Sequence, residues 1–567
     1  MLIPRPVCVA LGMTLSASLA SAQDLEEQVW GVFAYTIYGD SIPSSVSPFR
    51  ALTPYGANQL FAAGSSFRNE YVALHGEDTG INTRIESISP YRLDPEEINI
   101  LSTTDPAVVA SAQAFMQGLY PPLDDTFNAT YNFDTSFQLS NGSIASGPLN
   151  GYQYPRILTL GPGDPQSTAI NGQAQCSMHQ AADTEYQSSA EVERLNQETE
   201  AFYQLMYDQA LSGAFDRSGA NYANAYYISE FLEYQSVHNE TLLNHINQGD
   251  IDLARSLGDK YVFATSGNTS STGAIGSGDV RTVAGHTLAA LVLSSFDNNI
   301  EGRGTNGIMT LAFGSVEPAV ALASLMQLTP PQRSYFDGRP ALGASIIFEL
   351  YSFESSANPT YPDPSQLFVR FILQNDTEAA YTLPLFGLSP SKIAMPYTEF
   401  RSEMENIAMN TEEWCFICNS KAPFCSNTSD TSHTKAMERN GLRPAVAGVI
   451  GAVVTLLTVA VVAIAGFLLC GMRMNRIRKA SLGGFKGNSK MASDSDVTFR
   501  DPTWADAKEA DTNEGEAVGR GHERVGSWEM RGSNRHGVEA VGSPFNDQIQ
   551  DEWTHGVPPP AEPREHV

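Results

Sequence analysis

The residues of this chain whose types and spacing bear on chemistry gather in Val29 to Pro43, VWGVFAYTIYGDSIP. An apolar, β-branched run reaches Thr36. Then come a phenol at Tyr38, a glycine at Gly39, a carboxylate at Asp40 and a hydroxyl at Ser41. A buried strand that breaks at a glycine turn presents such side chains at the end of a sheet. Tyr38 carries an oxygen nucleophile, but a phenol with a pKa near ~10 stays protonated in acid or neutral solution. Activating it takes nearby cations, and the sequence shows none to supply them.

Other reactive residue types are scattered. His75, His179, His238, His245 and His286 form no spaced motif. His238 and His245 share a helix face only if one helix runs through both, and the N-x-T at Asn239 argues for an exposed position. Each histidine reads as a surface or core residue, and no metal or cofactor is expected. Cys415-x-x-Cys418 has no second ligand pair at zinc spacing. With Cys176 and Cys425 these cysteines are candidates for structural disulfides, and four cysteines leave three pairings open.

The elements that must position these groups alternate. Strands are expected at Gln28 to Ile37, Ile98 to Ser102, Gly307 to Phe313, Ser345 to Tyr351 and Phe368 to Gln374. Helices are expected at Thr53 to Tyr71, Asp105 to Leu119, Thr184 to Leu211, Tyr222 to Tyr234, Glu240 to Leu257, Arg281 to Ser295 and Pro318 to Met326. The glycine- and serine-rich Thr265 to Gly278 reads as a surface loop. The fold class is α/β: a central, mostly parallel sheet flanked by helices. The α/β part covers 23–159 and 276–425, interrupted by a mainly helical cap insertion over 160–275.

The ends of the 567-residue chain are of another kind. Residues 1–22 end in Ala20-Ser21-Ala22, a secretory signal with its cleavage site. A polar stalk at 426–444 leads to the apolar run Ala445 to Cys470, long enough to span a membrane as one helix. Arg473, Arg476, Arg478 and Lys479 follow it, which puts 473–567 on the cytosolic side. That tail lacks the apolar content to offset ordering entropy and is expected to be disordered. N-x-S/T sites at Asn128, Asn141, Asn239, Asn268, Asn375 and Asn427 all precede the span, which agrees with a lumenal or extracellular glycoprotein. The plasma and vacuolar membranes both fit.

The net charge is −29. The tail from 473 holds 16 acids and 13 bases, so the excess belongs to the N-terminal part. A strongly acidic domain disfavours nucleic acid and anionic, phosphorylated substrates. Solubility alone also accounts for it.

The segment resembles the strand and loop that open the histidine acid phosphatases, the branch that includes phytases, where the pattern is V-x-x-x-T-R-H-G-x-R-T-P. Thr36, Gly39 and Pro43 stay in register. Ile37 stands for the first arginine, Tyr38 for the nucleophilic histidine and Ser41 for the second arginine. The resemblance extends through LTPYGANQLFAAGSSFRNEY, through STTDPAVVASAQAFMQGLYPP, through AGHTLA (Ala284 to Ala289, with His286 in place of an arginine), and through RPALGASIIFELY and LFVRFILQND. By the same resemblance a third arginine falls at about Ala107 and the late His-Asp pair near Ser315 and Val316. Asp40 occupies a variable position. Glu317 stands where a replacement acid would have to come from, though an acid there also suits the first turn of the helix that follows.

The resemblance implies an arginine cluster that holds phosphate, an imidazole that attacks it and an acid that protonates the leaving oxygen. Losing the cations leaves an entering phosphate desolvated without partners, at a cost of several kcal/mol. The expectation is a catalytically inactive, membrane-anchored relative, a pseudoenzyme that binds a small-molecule or protein ligand. The alternative is a phosphomonoester hydrolase with residual or rearranged activity. The sequence does not give an oligomeric state.

Overall fold

The computed structural model describes residues 25–427 apart from 75–82, 124–138, 144, 146, 272–277, 330–335, 337, 356–359 and 376–379. All lie in the compact unit Met1–Gly471. The signal segment, His75, Asn128, the apolar run from Ala445 and the tail lie outside the described residues. Among those described, no helix is long and apolar enough to cross a membrane.

Eight strands form one sheet in the order β3-β2-β4-β1-β5-β6-β7, with β8 paired to β6. They are β1 (Leu25–Ile37), β2 (Ile98–Thr103), β3 (Ile157–Leu160), β4 (Met309–Gly314), β5 (Ser345–Ser355), β6 (Phe368–Gln374), β7 (Ala380–Leu383) and β8 (Ala394–Pro396). The sheet is mixed, which corrects the expectation of a mostly parallel one. β1 runs parallel to β4, and β2 parallel to both β3 and β4. From β5 onward every pairing is antiparallel. Buried apolar runs look alike in either direction. The difference lies in the connections: helices cross over between the parallel strands, whereas the described residues between β5 and β8 hold only one short helical turn, Pro364–Gln366.

The sheet core is aromatic. Phe33, Phe67, Phe115, Phe313 and Phe348 are all fully buried. Phe115 meets Phe67 and Phe313 edge to face. Helices α1 (Pro54–Phe67) and α2 (Pro106–Leu119) both start at a side-chain cap followed by proline, with Thr53 capping α1 and Asp105 capping α2.

Between β3 and β4 lie the helices α3 (Ser177–Gln187), α4 (Ala190–Met206), α5 (Ala225–His238), α6 (Gln248–Val262) and α7 (Val283–Glu301). The helix expected over Thr184 to Leu211 is two helices. Ser189 takes an extended conformation and caps α4, since its hydroxyl accepts from the Val192 amide. Likewise α6 begins at a capping box of Asn247 and Asp250, after a short turn, rather than at Glu240. Thr265 and Ser266, expected on a surface loop, are buried in a helical turn that continues α6. Tyr186, Tyr203, Tyr222, Phe231 and Leu232 build a second hydrophobic cluster among these helices.

A third cluster surrounds Trp414. Here Cys176 pairs with Cys418, and Cys415 with Cys425. The two cysteines of the C-x-x-C therefore bond to different partners. Cys176 thereby joins the chain just before α3 to the end of the helix Thr411–Ile417.

Candidate functional site

β1 and β4 end side by side, with Thr36 opposite Phe313 and Ile37 opposite Gly314. Both chains leave the sheet there, at the carboxyl end of the parallel strands, where α/β sheets form their crevices. Tyr38 is 3% exposed and Asp40 is 4% exposed. The turn between them is tight. A Cβ on Gly39 would fall 2.4 Å from Leu60 Cδ2, and one on Gly56 would fall 2.1 Å from the Asp40 carbonyl oxygen. The first turn of α1 thus packs directly on the loop. The Asp40 amide donates to Gln59 Oε1 at 2.9 Å, the Gly39 amide to Ser111 Oγ at 3.1 Å.

A cavity of about 370 Å³ opens at this point. Ile37, Tyr38, Asp40, Ser41 and Val316 line it. Ala107 and Ser315 do not. Ala107 is fully buried at the start of α2, its amide donating to Asp105 Oδ1. Ser315 accepts at its carbonyl from the Tyr35 hydroxyl at 2.8 Å and at its Oγ from Gln173 at 3.2 Å.

The opposite wall is α5. Tyr226, Glu230, Glu233, Tyr234 and Val237 line the cavity from one stripe of this helix. Tyr38 donates to Glu230 Oε1 at 3.0 Å, and Arg50 donates to the same oxygen at 2.8 Å. Arg50 also lies over the Tyr38 ring, 4.8 Å from its centroid. The expectation that Tyr38 lacks a cation is therefore corrected. The cation does not activate the phenol, however. Burial raises the Tyr38 pKa well above its ordinary value, the Glu230 carboxylate adds to that, and Arg50 opposes it only in part. Burial pulls Arg50 the other way, but Tyr38 and Glu230 outweigh it, so the guanidinium stays charged.

Two further guanidiniums border the cavity. Arg255 pairs with Glu233 at 2.9 Å. Arg339 pairs with Asp259 at 2.5 Å, donates to Ser229 at 3.0 Å and lies 5.0 Å from the Tyr226 ring centroid. Each of these three arginines thus has a carboxylate already. Four carboxylates line the cavity (Asp40, Glu230, Glu233 and Asp252) against two guanidiniums.

His238 is exposed, as the sequence suggested, and it also meets Asp40. Its Nε2 lies 2.6 Å from Asp40 Oδ2, an oxygen that also accepts from the Thr53 hydroxyl. The Tyr234 ring lies 4.4 Å from the imidazole. Glu317 sits in the first turn of α8 (Val316–Leu325), and its Oε2 is a buried oxygen with no hydrogen-bond partner. His179 and His286 are buried away from the cavity, His179 beside Asp183 and His286 between Thr282 and the Ile407 carbonyl. Among the described residues no group of three or more His, Cys, Asp or Glu is placed to hold a metal ion.

Sequence reading missed Arg50, Glu230, Arg255 and Arg339. Arg50 is a lone base in an irregular loop, and Glu230 lies 192 positions from Tyr38. Only the helical stripe 226, 230, 233/234, 237 could have signalled them, because it alternates aromatic and acidic residues where a core-facing helix would carry aliphatic ones.

Residues 25–374 match the sequence profile of the histidine phosphatase superfamily (branch 2). Among solved structures, the apo phytase of Hafnia alvei is similar at 13% identity, covering 68% of this chain and 98% of that one, with a TM-score of 0.42. The phytase of Citrobacter braakii stands at 12% identity, 68% and 99% coverage and a TM-score of 0.43. The multiple inositol polyphosphate phosphatase of Bifidobacterium longum, in complex with inositol hexasulfate, stands at 12%, 69% and 94%, and 0.37. No curated protein matches the sequence.

Proposed function

The chain belongs to the histidine phosphatase superfamily, branch 2, and from that premise we propose that it is a ligand-binding member of the family that does not turn over phosphomonoesters. One observation carries the reading. The cavity at the end of β1 carries Ile37, Tyr38 and Ser41 where the family resemblance calls for arginine, histidine and arginine, and Arg50, Arg255 and Arg339 are each paired with a carboxylate. A phosphate dianion entering there gives up its hydration for a cavity with more carboxylates than guanidiniums, a cost of several kcal/mol. Each ~1.4 kcal/mol of barrier removes tenfold in rate.

We place this binding domain outside the cytosol, on a single membrane span over 445–470 with 473–567 as a cytosolic tail, in the plasma or vacuolar membrane. The two disulfides support an oxidising compartment. The sequons support glycosylation, and Asn141 and Asn268 are exposed.

A second reading, a hydrolase with rearranged chemistry, draws on Glu317 and on the Asp40–His238 pair, which supply an acid and an oriented imidazole. The test is hydrolysis of a generic aryl phosphate by the full-length chain from acid to neutral pH. We expect none. Turnover that disappears in Tyr38→Phe overturns the binding reading in favour of the second.

A further inference from the structure

The cavity at the end of β1 has more to say about its ligand than that phosphate is disfavoured. Three features bear on this. The first is that its walls already hold cations on aromatic rings: Arg50 on Tyr38 at 4.8 Å and Arg339 on Tyr226 at 5.0 Å. The second is an unused acceptor. Glu230 Oε1 accepts from both Tyr38 and Arg50, while Oε2 of the same carboxylate is buried and accepts nothing. A buried carboxylate oxygen without a donor is costly unless something supplies one. The third is charge and shape. Asp252 also lines the cavity and accepts from the Gln248 side-chain amide at 2.9 Å, and Tyr55, half exposed, lines it as well. The volume, about 370 Å³, falls in the range of small-ligand pockets.

We infer that the cavity takes an organic ammonium group, from a small amine or from a lysine side chain, recognised by tyrosine rings and by the carboxylates of Glu230 and Asp252. An ammonium brings the positive charge that the carboxylates lack and the donor that Glu230 Oε2 lacks. Its carbon substituents lie well on the ring faces, whose negative quadrupole attracts cations. Neutral polyols answer only the hydrogen-bonding part of this surface, and anions answer none of it. The inference rests on the reading of this cavity as a binding site.

The test is calorimetric titration of the full-length protein with choline and with its neutral isostere 3,3-dimethylbutan-1-ol. In parallel, Nα-acetyl-lysine methylamide is set against the norleucine analogue. In at least one pair the cation is expected to bind about tenfold or more tighter than the isostere. Which pair responds separates a small amine from a peptide side chain. Glu230→Gln should abolish the preference. Asp252→Asn, on an exposed position of α6, should reduce it severalfold and guards against a folding defect in the first variant. Equal binding of cation and isostere in both pairs overturns the inference, as does a preference that survives both substitutions. Inorganic phosphate and myo-inositol are titrated alongside. If either binds while no amine does, the ammonium assignment fails and the binding reading stands. If nothing binds, both fail.

Discussion

Arg50 lies face-on to the Tyr38 ring at 4.8 Å, yet its hydrogen bond goes to Glu230. The cation over Tyr38 is held by a carboxylate of α5 rather than left open to an anion. Arg50, Tyr38 and Glu230 act as one unit: two donors converge on a single oxygen, and a ring and a guanidinium share a face.

Removing the carboxylate should release the cation. In Glu230→Gln the guanidinium of Arg50 loses its charged partner, and affinity of the full-length protein for sulfate or vanadate should rise roughly tenfold over the parent. Calorimetric titration checks this, and an unchanged anion affinity would mean that Arg50 does not answer to the cavity.

Tyr38→Phe removes one donor to Glu230 and leaves the Arg50 pair in place. The loss should be about 1–2 kcal/mol of stability, the net worth of a hydrogen bond to a charged acceptor. Urea denaturation measures it. A loss beyond ~3 kcal/mol would show that the phenol organises the loop rather than merely completing it.

The disulfides should differ in worth. Cys176–Cys418 closes a separation of 242 residues, whereas Cys415–Cys425 closes 10. Chain entropy favours the longer loop, so Cys176→Ser should cost about 4–5 kcal/mol and Cys425→Ser about 2–3 kcal/mol. Thermal unfolding of each variant without reductant gives the comparison, and an inverted order would point to local packing around Trp414 as the larger contribution.

The His179–Asp183 pair predicts a masked pH dependence. Burial, with Glu317 adding and Arg281 opposing, raises Asp183 from 3.8 to about 7. The folded protein keeps this proton where the unfolded chain has lost it, so Asp183 costs stability as pH rises from about 4 to 7. Burial, with Arg281 adding, lowers His179 from 6.5 to about 4. The unfolded chain gains a proton that the folded one refuses, so His179 costs stability as pH falls from about 6.5 to 4. The two slopes oppose each other across that window. Asp183→Asn should leave stability climbing with pH from about 4 to 6.5, and His179→Gln should leave it falling between about 4 and 7. Denaturation midpoints across pH read both slopes, and two flat profiles would contradict the assignment.

Strand β1, helices α1 and α2 and the late strands were legible because their signals are local: an apolar run, a cap followed by proline, a glycine turn. Thr36, Gly39 and Pro43 located the cavity for the same reason. Strand direction was not legible, since the burial of Ile346 and Phe348 in antiparallel β5 is no different from that of Leu311 or Phe313 in β4, between parallel neighbours. Nor was the charge state of the cavity. The three arginines and the carboxylates that hold them come from the loop after β1, from α5, from α6 and from the loop before β5, and only folding brings them together. The pairing of His238 with Asp40 was not legible either, since the two lie 198 positions apart; His238 is exposed, as its place beside a sequon suggested, and the helix still brings its imidazole to Asp40 while Asn239 bonds back to Gln235.

That five consecutive helical-stripe positions of α5 furnish one whole wall has a practical corollary. Exchanging side chains at 226, 230, 233, 234 and 237 would rewrite which guests are admitted without touching a single strand pairing. The helix is in effect a replaceable cartridge, and most of the redesign of selectivity in this protein falls within fewer than fifteen contiguous residues.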